Sequence, residues 1–275
     1  MIRIATPTGY TLVAHQEHAR LAGRFAEHWG NAFFPPPAPP AILPEILVAV
    51  ARHDDAWAGR DTTPFLTREG RPSAFTRELV GAYSAFEEID LADYLAVRGA
   101  ATEALAAEHP FAAILVSMHT VNLLTEQADL DTLKPADRPL HAAFIEGQLH
   151  RQKALAASLP PALVAHATPA QLRRAFEFLQ FCDNLSLLTC VRYDQPRPLR
   201  HAHPDAHGTR RVITCTPVDL GGGAYRLDPW PFDAPELTFT VPARQIPSAA
   251  CADLAAFRAA YSTAPVEQLP IHLVA

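Results

Sequence analysis

The sequence predicts a mainly α-helical protein, a helical bundle with a small β element that the N-terminal hairpin and the C-terminal strands form together. Apolar residues recur every three or four positions through the middle of the chain, and they alternate with polar residues near both ends. Turn-forming residues separate the alternating segments. We therefore expect one domain over residues 1–275, with a helical body at 16–193 and the β element at 1–15 and 211–275.

The first quarter of the chain predicts a hairpin followed by two helices. Two alternating segments flank a turn at residues 7–9, and the first helix begins near Gln16. Residues 35–40 form a loop, since proline removes an amide donor, and Pro44 opens the second helix. The buried faces of the two helices carry His18, Leu21, Ala22, Phe25 and Trp29, then Ile46, Ala49, Val50 and His53.

The remaining helices and strands are predicted from the same two patterns, apolar residues at every third or fourth position for helices and at every second position for strands. Residues 61–75 are rich in turn formers, and we expect them, with residues 35–40, to flank the entrance of a site. A helix over 111–124 carries His119 on an apolar side, and a longer helix over 169–193 carries Asp183 in the middle of an apolar face. Short strands are predicted at 212–218, 225–227 and 237–241.

Composition limits the classes of function. The chain is 49% hydrophobic and 19% charged, and its net charge of -6 with scattered cations gives no basic surface for nucleic acid. The N-terminal residues lack the apolar core of a signal peptide, and no apolar run reaches the length of a membrane span. We expect a cytoplasmic protein without a membrane or nucleic-acid partner, and a homo-oligomer is among the states that this composition allows.

Ionisable residues on apolar helical faces predict a metal site. His18, His53, Asp54 and Asp183 come from three predicted helices, and a buried charge without a partner costs several kcal/mol. A divalent cation (Fe, Mn, Zn, Ni or Mg) would compensate these carboxylates and accept the imidazoles as ligands. Any one of these residues alone would more often be a hydrogen-bonded core residue, so the combination carries the prediction.

Further polar residues flank the predicted ligands. We assign candidate catalytic roles to His119, as a substrate contact or proton donor, and to Asp54. The alternative for His119 is a hydrogen-bonded core histidine. Candidates that would support the ligands or touch substrate are Gln16, Asp55, Trp57, Ser117 and Ser186. The alternatives are that Gln16 only begins a helix and that Asp55 is an exposed charge. Trp57 would then be a packed side chain in a pocket wall, and the hydroxyls of Ser117 and Ser186 would bond to the preceding turn of their own helix. The cluster at 200–207 is expected to be a solvated loop without a specific site.

Several short motifs carry a family resemblance. They are Gln16-Glu17-His18, His53-Asp54-Asp55-Ala56-Trp57, Ser117-Met118-His119 and Asp183-Asn184-Leu185-Ser186-Leu187, with Asp228-Pro229-Trp230-Pro231-Phe232 and Val241-Pro242-Ala243-Arg244 nearer the end. Together they resemble an uncharacterised bacterial family, DUF3891, which is distantly similar to HD-domain metal-dependent phosphohydrolases. The resemblance implies an HD-like bundle whose metal ligands follow the order His, His-Asp, Asp. Dinuclear HD proteins have two further histidines, whereas here only His119 lies on an apolar helical face.

The predicted function is a metal-dependent hydrolase of the HD type acting on a small phosphorylated or otherwise anionic substrate. The sequence has no serine-hydrolase elbow, no Walker A loop and no dinucleotide-binding fingerprint. Two alternatives remain open. One is an iron-dependent oxygenase on an HD-like scaffold, and the other is a regulatory protein that binds a metal or ligand without catalysis.

Overall fold

Helices share the fold with a large β-sheet. The structure, a computed structural model, describes residues 1–80 and 90–275. It is 51% helical and 20% strand, with seven strands in one curled, mixed sheet. The prediction of a mainly α, all-α, HD-like bundle with a small β element is therefore wrong, because the sheet is a major layer of the molecule.

The helices occupy the middle of the chain, with one more near the C terminus. The loop predicted at residues 35–40 is observed between the first two helices. The helices are α1 His15–Glu27, α2 Leu43–Arg52, α3 Ala58–Thr62, α4 Leu91–Ala106, α5 Pro110–Asn122, α6 Arg138–Ala157, α7 Pro161–Val164, α8 Pro169–Cys190 and α9 Leu254–Thr263. None of the helices within the described ranges combines the length and apolarity needed to cross a lipid bilayer.

The two ends of the chain meet in the large sheet. Its order is β1-β2-β8-β9-β7-β6-β3, in which β7 and β9 pair in parallel and the other neighbours are antiparallel. The strands are β1 Ile2–Thr6, β2 Gly9–Val13, β3 Arg197–Pro198, β4 His203–Pro204, β5 Arg210–Arg211, β6 Thr214–Asp219, β7 Ala224–Asp228, β8 Glu236–Pro247 and β9 Val266–Val274. The N-terminal hairpin thus joins the C-terminal strands through β8, while β4 and β5 form a separate pair.

The long strand β8 changes the face that it buries. Its side chains alternate, with Leu237 to Ala243 directed at the main core. After Arg244 the phase shifts by one residue, so Ile246 points to the opposite face and packs with Leu12 and with Phe257 of α9. The sheet is therefore covered by the central helices on one face and by α9 at one end of the other.

Two helices connect the core to the site. In α8 most side chains from Ala175 to Cys190 are buried, and the hydrophobic part of this helix packs against α1 and α5. A Cβ atom on Gly23 of α1 would lie 2.6 Å from the Cβ of Ala51 in α2, so only glycine allows this approach of the two backbones. The approach brings His18 of α1 close to the C-terminal end of α2.

Candidate metal centre

Three helices bring two histidines and one aspartate to a common point. His18 lies on the buried face of α1, His53 caps the C-terminal end of α2, and Asp183 lies in the middle of α8. Each offers one ligand atom, and the three atoms lie within 4.8 Å of one another. All three residues are buried. This is the donor set of two imidazoles and one carboxylate that transition metals favour.

The ring of His53 is held so that one nitrogen faces the centre. Its Nδ1 donates to the carbonyl oxygen of Val50 at 2.8 Å, so Nε2 is the ring nitrogen that faces the centre and that a metal would bind. That Nε2 is buried and has no hydrogen-bond partner among the described residues, although Asp183 Oδ1 lies 3.3 Å away. Ligands about 2.1 Å from one cation are separated by about 3.0 Å in octahedral and about 3.4 Å in tetrahedral geometry. The separation and the unpaired nitrogen therefore fit a shared cation.

His18 shows the same arrangement of its ring. Ser186 Oγ donates to the carbonyl oxygen of Asp183 at 2.8 Å, so it accepts from Nδ1 of His18 at 3.1 Å. The Nε2 atom of His18 then faces Asp54 Oδ2, also at 3.1 Å. Metal-binding histidines commonly donate their other ring N–H to an oxygen in this way, and the donation fixes the orientation of the ring.

Asp54 lies beside the three-residue group rather than within it. Its Oδ1 accepts from Nη1 of Arg98 in α4 at 2.7 Å, and its Oδ2 faces His18. Arg98 also donates to the Tyr94 hydroxyl at 3.1 Å and lies 5.2 Å from the Trp57 ring centroid. Asp54 therefore has an arginine partner at Oδ1, and its Oδ2 lies beside the His18 nitrogen that would face a metal.

The buried charges shift several pKa values. Burial alone would lower the pKa of His53, but the carboxylates of Asp54 and Asp183 outweigh it and raise the pKa to about 9. Burial would raise the pKa of Asp183, but the neighbouring His53 foremost lowers it to about 2. Burial would likewise raise the pKa of Asp54, which the Arg98 guanidinium holds well below its usual range. Both carboxylates are therefore ionised, and in the absence of a metal a protonated His53 offsets the charge of Asp183.

His119 stands behind Asp183 as a neutral donor. Burial lowers the pKa of His119 to about 3. Gln180 Nε2 donates to its Nδ1 at 3.2 Å and to Asn122 Oδ1 at 2.9 Å, so the ring proton lies on Nε2. This Nε2 is 3.9 Å from Asp183 Oδ2. A neutral imidazole held in this tautomer can donate a hydrogen bond to an anionic oxygen in the site.

A cavity of about 390 Å³ opens onto these residues, which is within the range of small-molecule sites. The residues of the centre that line it, here called its floor, are His18, Asp54, His119 and Asp183, whereas His53 does not line it. Residues of the 61–75 segment line the cavity, as predicted. The expectation for residues 35–40 is wrong, because Pro35 and Pro37 border a separate, much smaller depression beside Trp29.

Comparison with known proteins assigns the chain to a family. The family model described as a protein of unknown function, DUF3891, matches residues 1–248. The chain belongs to this DUF3891 family. No curated protein and no solved structure matches it significantly.

The supporting residues predicted for this DUF3891 chain divide into two groups. Trp57 lines the cavity and stacks on His15 at a centroid distance of 4.5 Å, and Ser186 contacts His18. Gln16 and Asp55 contact each other outside the cavity, where Gln16 Nε2 lies 3.3 Å from the Asp55 carbonyl oxygen. Ser117 lies between α5 and α6, bonded to Gln148 at 2.7 Å and not to any predicted ligand.

Two arginine groups of the DUF3891 chain were not predicted. Arg98 shares the buried side of α4 with Leu91, Leu95 and Leu105, so the helical spacing carried the signal. Arg197 and Arg200 line the cavity from a segment without helical or strand periodicity, and no local pattern marked them.

The histidine-rich segment 200–207 of the DUF3891 chain is also more buried than expected. His203 is 4% exposed and its ring packs 5.0 Å from those of Trp29 and Phe181, so the expectation of a solvated loop is wrong at this residue. Burial lowers the pKa of His203 to about 3. Asp205 is buried as well and accepts from Arg211 Nε at 2.9 Å.

Proposed function

We propose that the protein is a metal-dependent hydrolase of a small phosphorylated or otherwise anionic substrate, with a divalent cation held by His18, His53 and Asp183. The observation that carries the proposal is the buried Nε2 of His53, which has no hydrogen-bond partner among the described residues and lies 3.3 Å from Oδ1 of Asp183, a residue that lines the open cavity. A buried polar atom without a partner costs about 1–3 kcal/mol, which a bound cation would remove.

The donor set narrows the choice of cation. Two imidazoles and one carboxylate suit Fe, Ni, Zn or Mn better than Mg, which prefers oxygen ligands. Bound there, a divalent cation would lower the pKa of a coordinated water and polarise a phosphoryl oxygen.

The surrounding side chains would have separate roles. Asp54, paired with Arg98, would stay ionised beside His18, since its pKa is held well below the usual range. His119 would donate from Nε2 to an anionic oxygen of the substrate, because Gln180 holds its tautomer and burial keeps it neutral. Asp54 is therefore already ionised, and His119 already neutral, before a substrate binds.

The similarity to HD-domain hydrolases is limited to the ligand order. His18, then His53-Asp54, then Asp183 keep the order His, His-Asp, Asp. The proposal therefore rests on the centre and the cavity and not on fold analogy.

A reconstitution assay tests the proposal. Protein purified without chelator would be stripped, loaded separately with Fe(II), Mn, Zn, Ni or Mg, and screened against phosphate monoesters and nucleotides. We expect turnover with at least one cation, and its loss in His53→Gln, whose circular dichroism spectrum should show that it remains folded. Ser117→Ala, which lies away from the centre, should retain turnover. Absence of hydrolysis with every cation, in protein shown to bind that cation, would reject the hydrolase.

One observation favours a second candidate, an iron-dependent oxygenase. Two histidines and one carboxylate are the ligand set of the facial triad of non-haem iron oxygenases, and Asp54 lies outside this group. Substrate-dependent oxygen consumption by the Fe(II) form, without phosphate release, would select this candidate. Stoichiometric metal with neither activity would instead favour the regulatory alternative.

A further inference from the structure

Two arginines face the cavity without a carboxylate partner. Arg197 and Arg200 both line the cavity that contains Asp183 and His119. Arg197 lies 5.9 Å from the Tyr193 ring centroid. Among the described residues, no carboxylate lies within 4.0 Å of either guanidinium. Their hydrogen-bond donors are therefore available to a ligand.

The backbone that carries these arginines is fixed on both sides. Strand β3 pairs with β6, with Arg197 opposite Cys215, and the amide of buried Leu199 donates to Ile213 O at 2.8 Å. The amide of Arg200 donates to Asn184 Oδ1 at 3.1 Å. Asn184 directly follows Asp183, so Arg200 is anchored beside the candidate metal centre. Such anchoring reduces the entropy lost when a ligand binds.

The other charges on the cavity wall are largely paired. Arg98 is bonded to Asp54 at 2.7 Å, and Asp61 is bonded to His15 at 3.0 Å. Arg197 and Arg200 thus add positive charge to the cavity lining, which the exposed Glu126 and, in the absence of a metal, Asp183 oppose. An arginine fork matches the oxygens of phosphate, and two forks favour a dianion.

Part of the cavity lining is apolar. Phe65, Phe75, Leu79 and Val80 form this part, and Phe65 keeps 41% of its surface exposed. Large apolar side chains directed at a cavity favour an organic ligand over a free inorganic ion. The cavity lining therefore combines cationic, apolar and metal-ligating residues.

We propose that Arg197 and Arg200 bind the phosphate of a small phosphate monoester whose apolar part lies against Leu79 and its apolar neighbours. The inference rests on the proposed function, since it names the substrate class of the same site. The phosphate would lie between the two guanidinium groups and the floor at Asp183, where the proposed cation is held. Each arginine would contribute charge-assisted hydrogen bonds.

Calorimetric titration of the chelator-treated protein separates this inference from the metal. The probes are inorganic phosphate, phenyl phosphate and benzoate. We expect phenyl phosphate to bind more tightly than the other two. Arg197→Ala and Arg200→Ala should each weaken its binding at least about tenfold, the loss for a charge-assisted hydrogen bond. Arg226→Ala, an exposed arginine on β7, is the matched control and should leave binding unchanged.

Further variants make the test decisive. Leu79→Ala should weaken phenyl phosphate and leave inorganic phosphate unchanged. Equal affinity in the parent and both arginine variants, or no binding to the parent, would overturn the inference, as would benzoate binding as tightly as phenyl phosphate. Arginine-dependent binding by a protein that takes up no metal would reject the proposed function and keep this inference. Unfolding midpoints of all variants verify that each remains folded.

Discussion

Replacing Arg98 with methionine should lower the free energy of unfolding by about 3–5 kcal/mol, the cost of breaking a buried ion pair. Arg98 Nη1 lies 2.7 Å from Asp54 Oδ1, and the two side chains are only 7% and 5% exposed. Methionine keeps the aliphatic stem beside Trp57 but removes the charge. Asp54 would then be a buried carboxylate beside His18 and His53, without the arginine that lowers its pKa most, so its pKa should rise.

An ion pair on the surface supplies the control. Arg151 Nη2 lies 2.7 Å from Glu103 Oε2, but these side chains are 36% and 56% exposed. Arg151→Met should therefore cost no more than about 1 kcal/mol. Urea unfolding followed by circular dichroism measures both variants, and the double variant Arg98→Met/Asp54→Asn should recover part of the loss. If Arg98→Met lowers the free energy of unfolding no more than Arg151→Met does, the buried ion pair between Arg98 and Asp54 does not stabilise the fold.

Three other predictions concern the histidines and their supports. In chelated protein the raised pKa of His53, about 9, contributes stability that is complete below pH 6.5 and lost as pH rises through 9. The loss is on the order of 3 kcal/mol. Melting curves measure it, and a flat profile in this range would contradict it. Ser186→Ala should weaken metal binding about 10–100-fold, whereas Ser117→Ala should not, as metal titration can show. His119 should show no protonation above about pH 4 in NMR titration, given its pKa of about 3; titration near 6.5 would refute its burial.

The extent of the sheet could not be read from the sequence because proline hides two strands. Strand β8 continues through Pro242 to Pro247, and β9 contains Pro270, which pairs with Thr240. Proline cannot donate to a strand neighbour, so it argues against strand in any local analysis. The predicted strand ended at 241 for this reason, and β9 was not predicted. The helices were easier to predict from the spacing of their apolar residues, because proline occurs only in their first turns, where it does not disturb that spacing.

The histidine and aspartate residues of the centre could be predicted because each interrupts an apolar helical face. His18 and Asp183 are polar residues at buried positions of α1 and α8. Arg98 has the same spacing in α4, but a long side chain is usually expected to reach solvent, so its position alone is a weak signal. Arg197 and Arg200 reach the cavity only through the pairing of β3 with β6, a contact between distant segments.

Elemental analysis of protein purified without chelator tests the central claim most directly. Metal binding is coupled to its ligands, so removing one should remove the ion. We expect one divalent cation per chain in the parent, none in His53→Gln or Asp183→Ala, and the parental amount in His28→Ala, a half-buried histidine that is paired with Asp233 away from the centre. A parent protein that stays free of metal after incubation with Fe(II), Mn, Zn and Ni would contradict the account. Full occupancy in Asp183→Ala would contradict it equally.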